Sequence, residues 1–339
     1  MAKITIRDVA REAGVSISTV SNALNDVDVL NPATKMHVLE VAERLNYIPN
    51  LNGKMLKSGK TMMLGFFTTS VAGPYFYKLV ETMSRQCERH GYGLNVFVTK
   101  DKHVIMSNIL GRRVDGVIIY EELKIDEDDI AVMEKDRIKA VFLDREFKGE
   151  TMGSVIFDSY TAGYEAAKYL IGLGHKRIAY ISGVDTMFDS VQRREGYRAA
   201  LREYGLPPDD DYIIQGYFEE DSTFNAIKAF IRSYGHKLPD AFLAGNDLSA
   251  IGCIQALKAH GYEIPTDISV VGFDDIDIAP YFSPPLTTVR NPIARQGILA
   301  IDRLVGMIRG EEEGLSQKLP GELIVRGSSH VNIGRADRR

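Results

Sequence analysis

The 339-residue sequence holds only two cysteines, no apolar run long enough to cross a bilayer, and no apolar stretch after its first residues. Each absence excludes something. Cys87 and Cys253 lie far apart within helical patterns, which suits buried free thiols in a reducing compartment rather than a disulfide. The densest apolar stretches, such as Val117-Ile118-Ile119-Tyr120, are strand-sized, well short of the roughly 20 residues a membrane helix needs. Met1 to Asp8 carries no secretory leader, so a cytoplasmic protein with no membrane partner is expected. The seven histidines are scattered without metal-ligand spacing, and no His-Glu-x-x-His, Gly-x-Ser-x-Gly or phosphate-loop motif occurs. Asp274-Asp275 is an acidic pair, but adjacent residues at one strand end diverge, unlike the facing carboxylates of a glycosidase. No cofactor, metal or catalysis is expected.

What is present describes a folded chain. Hydrophobic residues make up 45% and charged residues 26%, and the length calls for more than one core. The net charge of −5 argues at first against nucleic acid, yet it is unevenly spread. Residues 1–60 carry eight lysines and arginines against six acids, a net of +2, which leaves −7 on the remainder. The first sixty residues also lack strand-like alternation, whereas the rest is rich in it. Two unlike modules share the chain.

Thr5 is placed to cap a short helix through Asp8–Ala13 that Gly14 ends, and Ser16 opens a second helix through Leu24. Small Ala10 permits close helix approach, Gly14 supplies the left-handed turn, and Val20 closes the core; this is helix-turn-helix spacing. Asn31-Pro32 starts a third helix, with Val38, Val41, Ala42 and Leu45 at helical intervals. On the second helix Ile17, Ser18, Ser21 and Asn22 project together while Val20 and Leu24 face inward. Small, uncharged polar side chains make a groove-reading face rather than a solvent face. Beyond, Pro49, Gly53 and Gly59 mark a boundary, yet Leu51, Met55 and Leu56 among lysines predict a short helix that orders on docking to a minor groove.

From Thr61 the pattern becomes strand–helix alternation, with strands expected at Met63–Thr69, Leu94–Thr99, Gly116–Tyr120, Ala140–Asp144, Val155–Asp158, Arg177–Ser182, Tyr212–Gln215, Ala241–Ala244 and Ser269–Phe273. Repeated βαβ units predict two doubly wound parallel-sheet subdomains, which bind ligands beyond the carboxyl ends of their strands. Several of those ends carry polar or aromatic residues: Thr69, Tyr75-Phe76, Asp144, Asp189, Arg193, Tyr217-Phe218, Asn246-Asp247 and Asp274. Acids, an amide, an arginine and aromatic rings around one cleft suit a polyhydroxylated ligand, although an Asp or Asn after a strand can equally be a helix cap.

The blocks Thr5-Ile6-Arg7-Asp8-Val9-Ala10-Arg11-Glu12-Ala13-Gly14-Val15-Ser16, Thr19-Val20-Ser21 and Leu45-Asn46-Tyr47-Ile48-Pro49-Asn50 closely resemble the lactose/galactose repressor (LacI/GalR) family of bacterial transcriptional regulators. So do Arg113–Ile118, Gly174–Gly183 and Pro284–Val289, which extends the resemblance over essentially the whole chain. It implies an all-α helix-turn-helix headpiece at 1–46, a hinge helix or linker at 47–60, and an α/β periplasmic-binding-protein-like core at 61–339. Within the core, one subdomain spans about 61–157 and 292–326 and the other about 162–285. The implied activity is operator binding by a homodimer, most simply as a repressor of carbohydrate-utilisation genes controlled by a sugar; a corepressor or a phosphocarrier protein that raises DNA affinity stays open. A free sugar-binding transport protein would share the core fold but lacks the headpiece.

The resemblance assigns DNA contacts to Thr5, Ser16, Ile17, Ser18, Thr19, Ser21, Asn22, Asn25, Tyr47, Asn50, Lys54 and Leu56, on a pseudo-palindromic double-stranded operator. It assigns effector contacts to Thr69, Phe76, Asp144, Arg193, Phe218, Asn246 and Asp274, with Asn291 a further candidate. Two departures stand out. The stretch Lys100–Arg113 is shorter than is usual in the family, and Gly53 stands where the hinge commonly has Ala, a change worth about 0.8–1 kcal/mol of helix propensity. The C-terminal segment has no leucine heptad and so no coiled-coil tetramerisation tail is expected.

Overall fold

The computed structural model describes residues 4–25, 29–48, 59–120, 125–235 and 238–332, and it divides into two units, Met1–Thr61 and Met62–Arg339. The first unit is built by caps. Helix α1 (Ile6–Ala13) starts at Thr5, whose backbone N–H and hydroxyl both donate to the Asp8 carboxylate, at 3.0 and 2.7 Å. Gly14 ends it at φ 64°, ψ 29°, with the Val15 N–H closing back on the Ala10 carbonyl. Ser16 caps α2 (Ile17–Leu24) by accepting from the Thr19 N–H at 3.1 Å, and Asn31 caps α3 (Pro32–Arg44) by accepting from the Ala33 N–H at 2.9 Å. Val9, Ala10, Ala13, Val20, Ala23, Val38, Val41 and Ala42 form the small core, with Leu24, Leu45 and Tyr47 packed at its edge.

The second unit holds two sheets with helices on both faces. The strands are β1 (Met63–Thr68), β2 (Gly93–Val98), β3 (Gly116–Ile119), β4 (Ala140–Phe142), β5 (Met152–Phe157), β6 (Ile178–Ser182), β7 (Ile213–Gln215), β8 (Ala241–Ala244), β9 (Ser269–Asp274), β10 (Thr287–Arg290), β11 (Ser316–Leu319) and β12 (Glu322–Ile324). The first sheet runs β11-β5-β4-β3-β1-β2 and is parallel throughout. The second runs β12-β10-β9-β8-β6-β7, with only β12 antiparallel to its neighbour. Their inner strands are apolar on both faces because helices cover both: in β8, Phe242 and Ala244 enter one core cluster while Ala241 and Leu243 enter another. Cys87 and Cys253 are buried free thiols. Among the described residues no helix is long and apolar enough to cross a membrane.

The covering helices are α4 (Pro74–Arg89), α5 (Lys102–Leu110), α6 (Glu127–Lys135), α7 (Ser159–Gly172), α8 (Phe188–Glu203), α9 (Glu220–Tyr234), α10 (Asp247–Ala259) and α11 (Ile293–Arg309). The chain passes between the lobes after Phe157, after Arg290 and again after Leu319. The last crossing corrects the expectation that all of 292–326 returns to the first lobe. Although α11 and β11 do lie there, β12 pairs with β10 of the second sheet, and Ser328 continues along it by accepting the Val270 N–H at 2.8 Å. Strand β10 lies between the expected bounds of the two subdomains and belongs to the second sheet, and α8 begins five residues before Arg193. The edge strands β11 (Ser-Gln-Lys-Leu) and β12 (Glu-Leu-Ile) are too polar and short to signal themselves in sequence.

Candidate functional site

Two surfaces gather the residues singled out by sequence. In the first unit, capping and core packing aim α2 outward. Val20 and Ala23 are buried, Ile17 is 45% exposed, Ser16 and Ser18 are exposed, and Thr19, Ser21 and Asn22 are half-buried. The Ser16 hydroxyl lies 2.7 Å from that of Ser18 and 2.8 Å from that of Thr19, a short ladder of groups that can each donate or accept. Asn25 turns its amide back onto the Ser21 carbonyl at 2.7 Å. Thr5 is exposed but engaged by Asp8, whose carboxyl is held below its usual range chiefly by the Thr5 hydroxyl. Tyr47 packs on the edge of the small core. Asn50, Lys54, Leu56 and the hinge around Gly53 lie outside the described residues.

In the second unit, a cavity of about 390 Å³ opens between the strand ends of the two lobes. Thr69, Phe76, Arg193, Phe218, Asn246 and Asp274 all line it. Asp144 stands apart: two residues past the end of β4, it is 1% exposed and is not among the lining residues. Its charge nonetheless reaches the hydroxyls of Tyr75 and Tyr120, which do line the cavity.

Arg193 organises the floor. It sits mid-helix in α8 with a side chain 5% exposed, donates from Nη1 to the Gly245 carbonyl at 2.6 Å, and places Nη2 3.8 Å from the Asp274 carboxylate. Its guanidinium lies over the rings of Phe273, Phe157 and Phe218 at 5.0, 5.6 and 5.9 Å. Its buried Nε has no hydrogen-bond partner. Burial works against this charge, but Asp274 and Asp189 outweigh it and raise the pKa. Burial also raises the Asp274 carboxyl above its ordinary value, against the pull of Arg193 and Asn291. Asn291 is itself buried beside it.

The surrounding backbone is held in costly conformations. Tyr217, Phe218, Asp274 and Asp275 have φ of 59°, 63°, 107° and 55°, each of which costs about 1–3 kcal/mol for a residue with a side chain. The Phe218 ring is admitted only because position 183 is glycine; a Cβ there would stand 2.1 Å from it. The turn after β9 is pinned from behind, since Asp275 accepts from Arg290 at 2.8 Å and Arg326 at 2.6 Å, and Asp247 accepts from the Ile276 N–H at 2.9 Å and the Thr288 hydroxyl at 2.6 Å. Asp274 therefore faces the cleft while Asp275 faces away, the divergence expected of neighbours at a strand end. Asn246 serves twice, capping α10 through the Ser249 N–H at 2.9 Å and donating to the Phe218 carbonyl at 2.9 Å.

Tyr75 and Asp189, noted at the strand ends but not among the effector contacts that the resemblance assigns, also line the cavity, as does Tyr120, which sequence reasoning did not place there. Tyr75, Phe76 and Tyr120 form an edge-packed aromatic cluster with centroids 5.2–5.5 Å apart. The Tyr75 hydroxyl donates to Gln296 at 3.0 Å, and Gln296 is fixed by donating to the Leu143 and Val155 carbonyls. A usable signal for Asp189 was its position four residues before Arg193, on the same helix face. Among the described residues no cluster of His, Cys, Asp or Glu is placed to hold a metal ion.

Comparison with known proteins adds the following. Residues 5–50 match the family described as bacterial regulatory proteins, lacI family, and residues 167–329 match a periplasmic binding protein-like domain. The chain is 33% identical to the "Probable HTH-type transcriptional repressor ExuR" of Bacillus subtilis (strain 168), over 96% of this chain and 98% of that one. It is 34% identical to the HTH-type transcriptional repressor PurR of Histophilus somni (strain 129Pt), with the same coverage. Among solved structures, the lac repressor dimer bound to operator and the anti-inducer ONPF superposes with a TM-score of 0.85 at 27% identity, covering 97% of this chain and all of that one. The transcriptional regulator CelR in complex with cellobiose gives 0.72 at 28% identity, covering 96% and 100%.

Proposed function

The chain belongs to the lacI family of bacterial regulatory proteins and is a helix-turn-helix transcriptional regulator, and on that premise we propose that a small sugar bound in the cleft sets its affinity for operator DNA. The observation that carries this is the make-up of the cavity. Arg193, with one unsatisfied buried N–H, stands beside the Asp274 carboxylate and the Asn246 amide, groups that can bond vicinal hydroxyls in pairs. The rings of Tyr75, Phe76, Tyr120 and Phe218 offer apolar faces to the C–H side of a pyranose.

Two copies of the chain would present their α2 helices to successive major grooves of a pseudo-palindromic site, as the dimeric form of the lac repressor structure suggests. On each half-site Ile17 would meet a thymine methyl, Ser18 would serve as a permissive donor or acceptor, and Asn22 would pair with an adenine edge. Thr5, Ser16, Thr19, Ser21, Asn25 and Tyr47, with Asn50 and Lys54, would grip phosphates and position the helix, and Leu56 would wedge into the central minor groove. Ligand that binds one arrangement of the two lobes better than the other shifts the population, and the segments following Phe157, Arg290 and Leu319 are where the lobes can turn. The working compartment on this reading is the cytoplasm.

Thermal-shift screening of the full chain against mono- and disaccharides and against purine bases tests the ligand class. At least one sugar should raise the melting temperature, and Arg193→Met should abolish the shift. A shift with a purine base and with no sugar overturns the reading.

A further inference from the structure

The sugar reading uses one buried acid of the cleft and leaves a second without a task. Asp189 lies on the first turn of α8, four residues before Arg193, and both residues are buried, at 9% and 4% exposure. One carboxylate oxygen accepts the Ser159 hydroxyl at 2.7 Å, from the residue that opens α7 directly after the chain leaves the first sheet. Arg193 makes its ion pair with Asp274 and its shortest hydrogen bond with the Gly245 carbonyl. Its charge is therefore already matched by Asp274, and only the buried Nε is left to donate. The buried lining then carries two carboxylates against one guanidinium, while the remaining charged lining residues, Lys100 and Glu219, are exposed and of opposite sign.

We infer that Asp189 makes this cleft select its effector by charge, admitting a neutral polyol or an amino sugar and excluding a sugar acid. The ring chemistry rests on the sugar reading above; the charge selection does not. A ligand carboxylate entering the cleft brings a third anion to a site with one buried cation, where like charges within a few ångströms raise one another's energy sharply. A hydroxyl donates to Asp189 at no such cost. An ammonium group cancels the excess and meets the faces of Tyr75, Phe76, Tyr120 and Phe218, which attract cations. Burial raises the Asp189 carboxyl above its ordinary value despite Arg193 and Ser159, the direction expected of an acid with too little compensating charge.

Calorimetric titration of the full chain with matched sets, glucose with glucosamine and glucuronate, and galactose with galactosamine and galacturonate, tests the selection. The acid of the set that binds should be weaker than its neutral or amino partner by about tenfold or more, and Asp189→Asn should narrow that gap. A uronate that binds as tightly as its partners overturns the inference. A readout without ligand runs alongside: Asp189→Asn should raise the melting temperature at pH 7.5, with the gain shrinking as pH falls and the native carboxyl takes up its proton. An unchanged or lower melting temperature for Asp189→Asn and for Asp189→Ser overturns the inference even if no sugar binds. Binding by none of the six sugars together with a raised melting temperature counts against the sugar reading alone.

Discussion

The α2 face and the cleft solve opposite problems with polar groups. On α2 the side chains aimed outward are uncharged, small and partly exposed, and their hydrogen bonds are to one another: Ser16 with Ser18 and Thr19, Asn25 with Ser21. Trading such bonds for a base edge costs little reorganisation. In the cleft Arg193 and Asp274 are charged and buried, with Arg193 held by the Gly245 carbonyl beside Asp274, whose own backbone stands at positive φ. Order there is built in before a ligand arrives. The difference predicts that substitutions in the cleft will register in the stability of the fold, whereas those on α2 will register in DNA affinity and sequence preference.

Arg193→Met is the harshest test of that contrast. It leaves Asp189 and Asp274 buried without their cation, and a loss of about 3–5 kcal/mol is expected in urea unfolding of the second unit. Because both acids have raised folded-state pKa values, they contribute less stability as pH rises above the ordinary carboxyl range. The Arg193→Met deficit should therefore grow from pH 5 to pH 8, and a deficit independent of pH would break the contrast. Gly183→Ala comes next. Its Cβ would collide with the Phe218 ring, costing about 1–3 kcal/mol and displacing the ring from the cavity, so sugar binding in calorimetry should weaken while DNA binding in the absence of sugar stays as it was.

Asn22→Ala should leave both unfolding transitions in place and relax discrimination at one base pair by about 1–3 kcal/mol, read by operator selection and competition binding. Selection of guanine rather than adenine opposite Asn22 in the native chain would contradict its assigned role. Smallest is Ser16→Ala, which removes a cap and should cost the first unit about 1 kcal/mol in thermal unfolding, with operator affinity falling uniformly across sequences.

What could be read from sequence was local. Caps and turns are settled within four residues, so Thr5, Gly14, Ser16 and Asn31 announced the three helices of the first unit, and the apolar runs of β1, β3, β6 and β8 announced strands covered on both sides. What escaped was set at long range. Strand β12 is defined by its antiparallel partner β10, not by its own polar residues, and it sends the chain back to the second lobe. Asp144 has the residue type and position of a ligand contact, but it is buried and is not among the lining residues. Tyr75 and Tyr120 come from different elements, and only the fold of the first lobe brings their rings within 5.5 Å.

The central claim is that occupancy of the cleft changes what α2 does on DNA. Its most direct test is fluorescence anisotropy of the full chain on an operator selected from a random palindromic library, titrated with and without a saturating concentration of the sugar found by thermal shift. Operator affinity should change by about tenfold or more, within the usual 1–3 kcal/mol of allosteric coupling, and Arg193→Met should remove the change. Equal affinities with and without the bound sugar would contradict it.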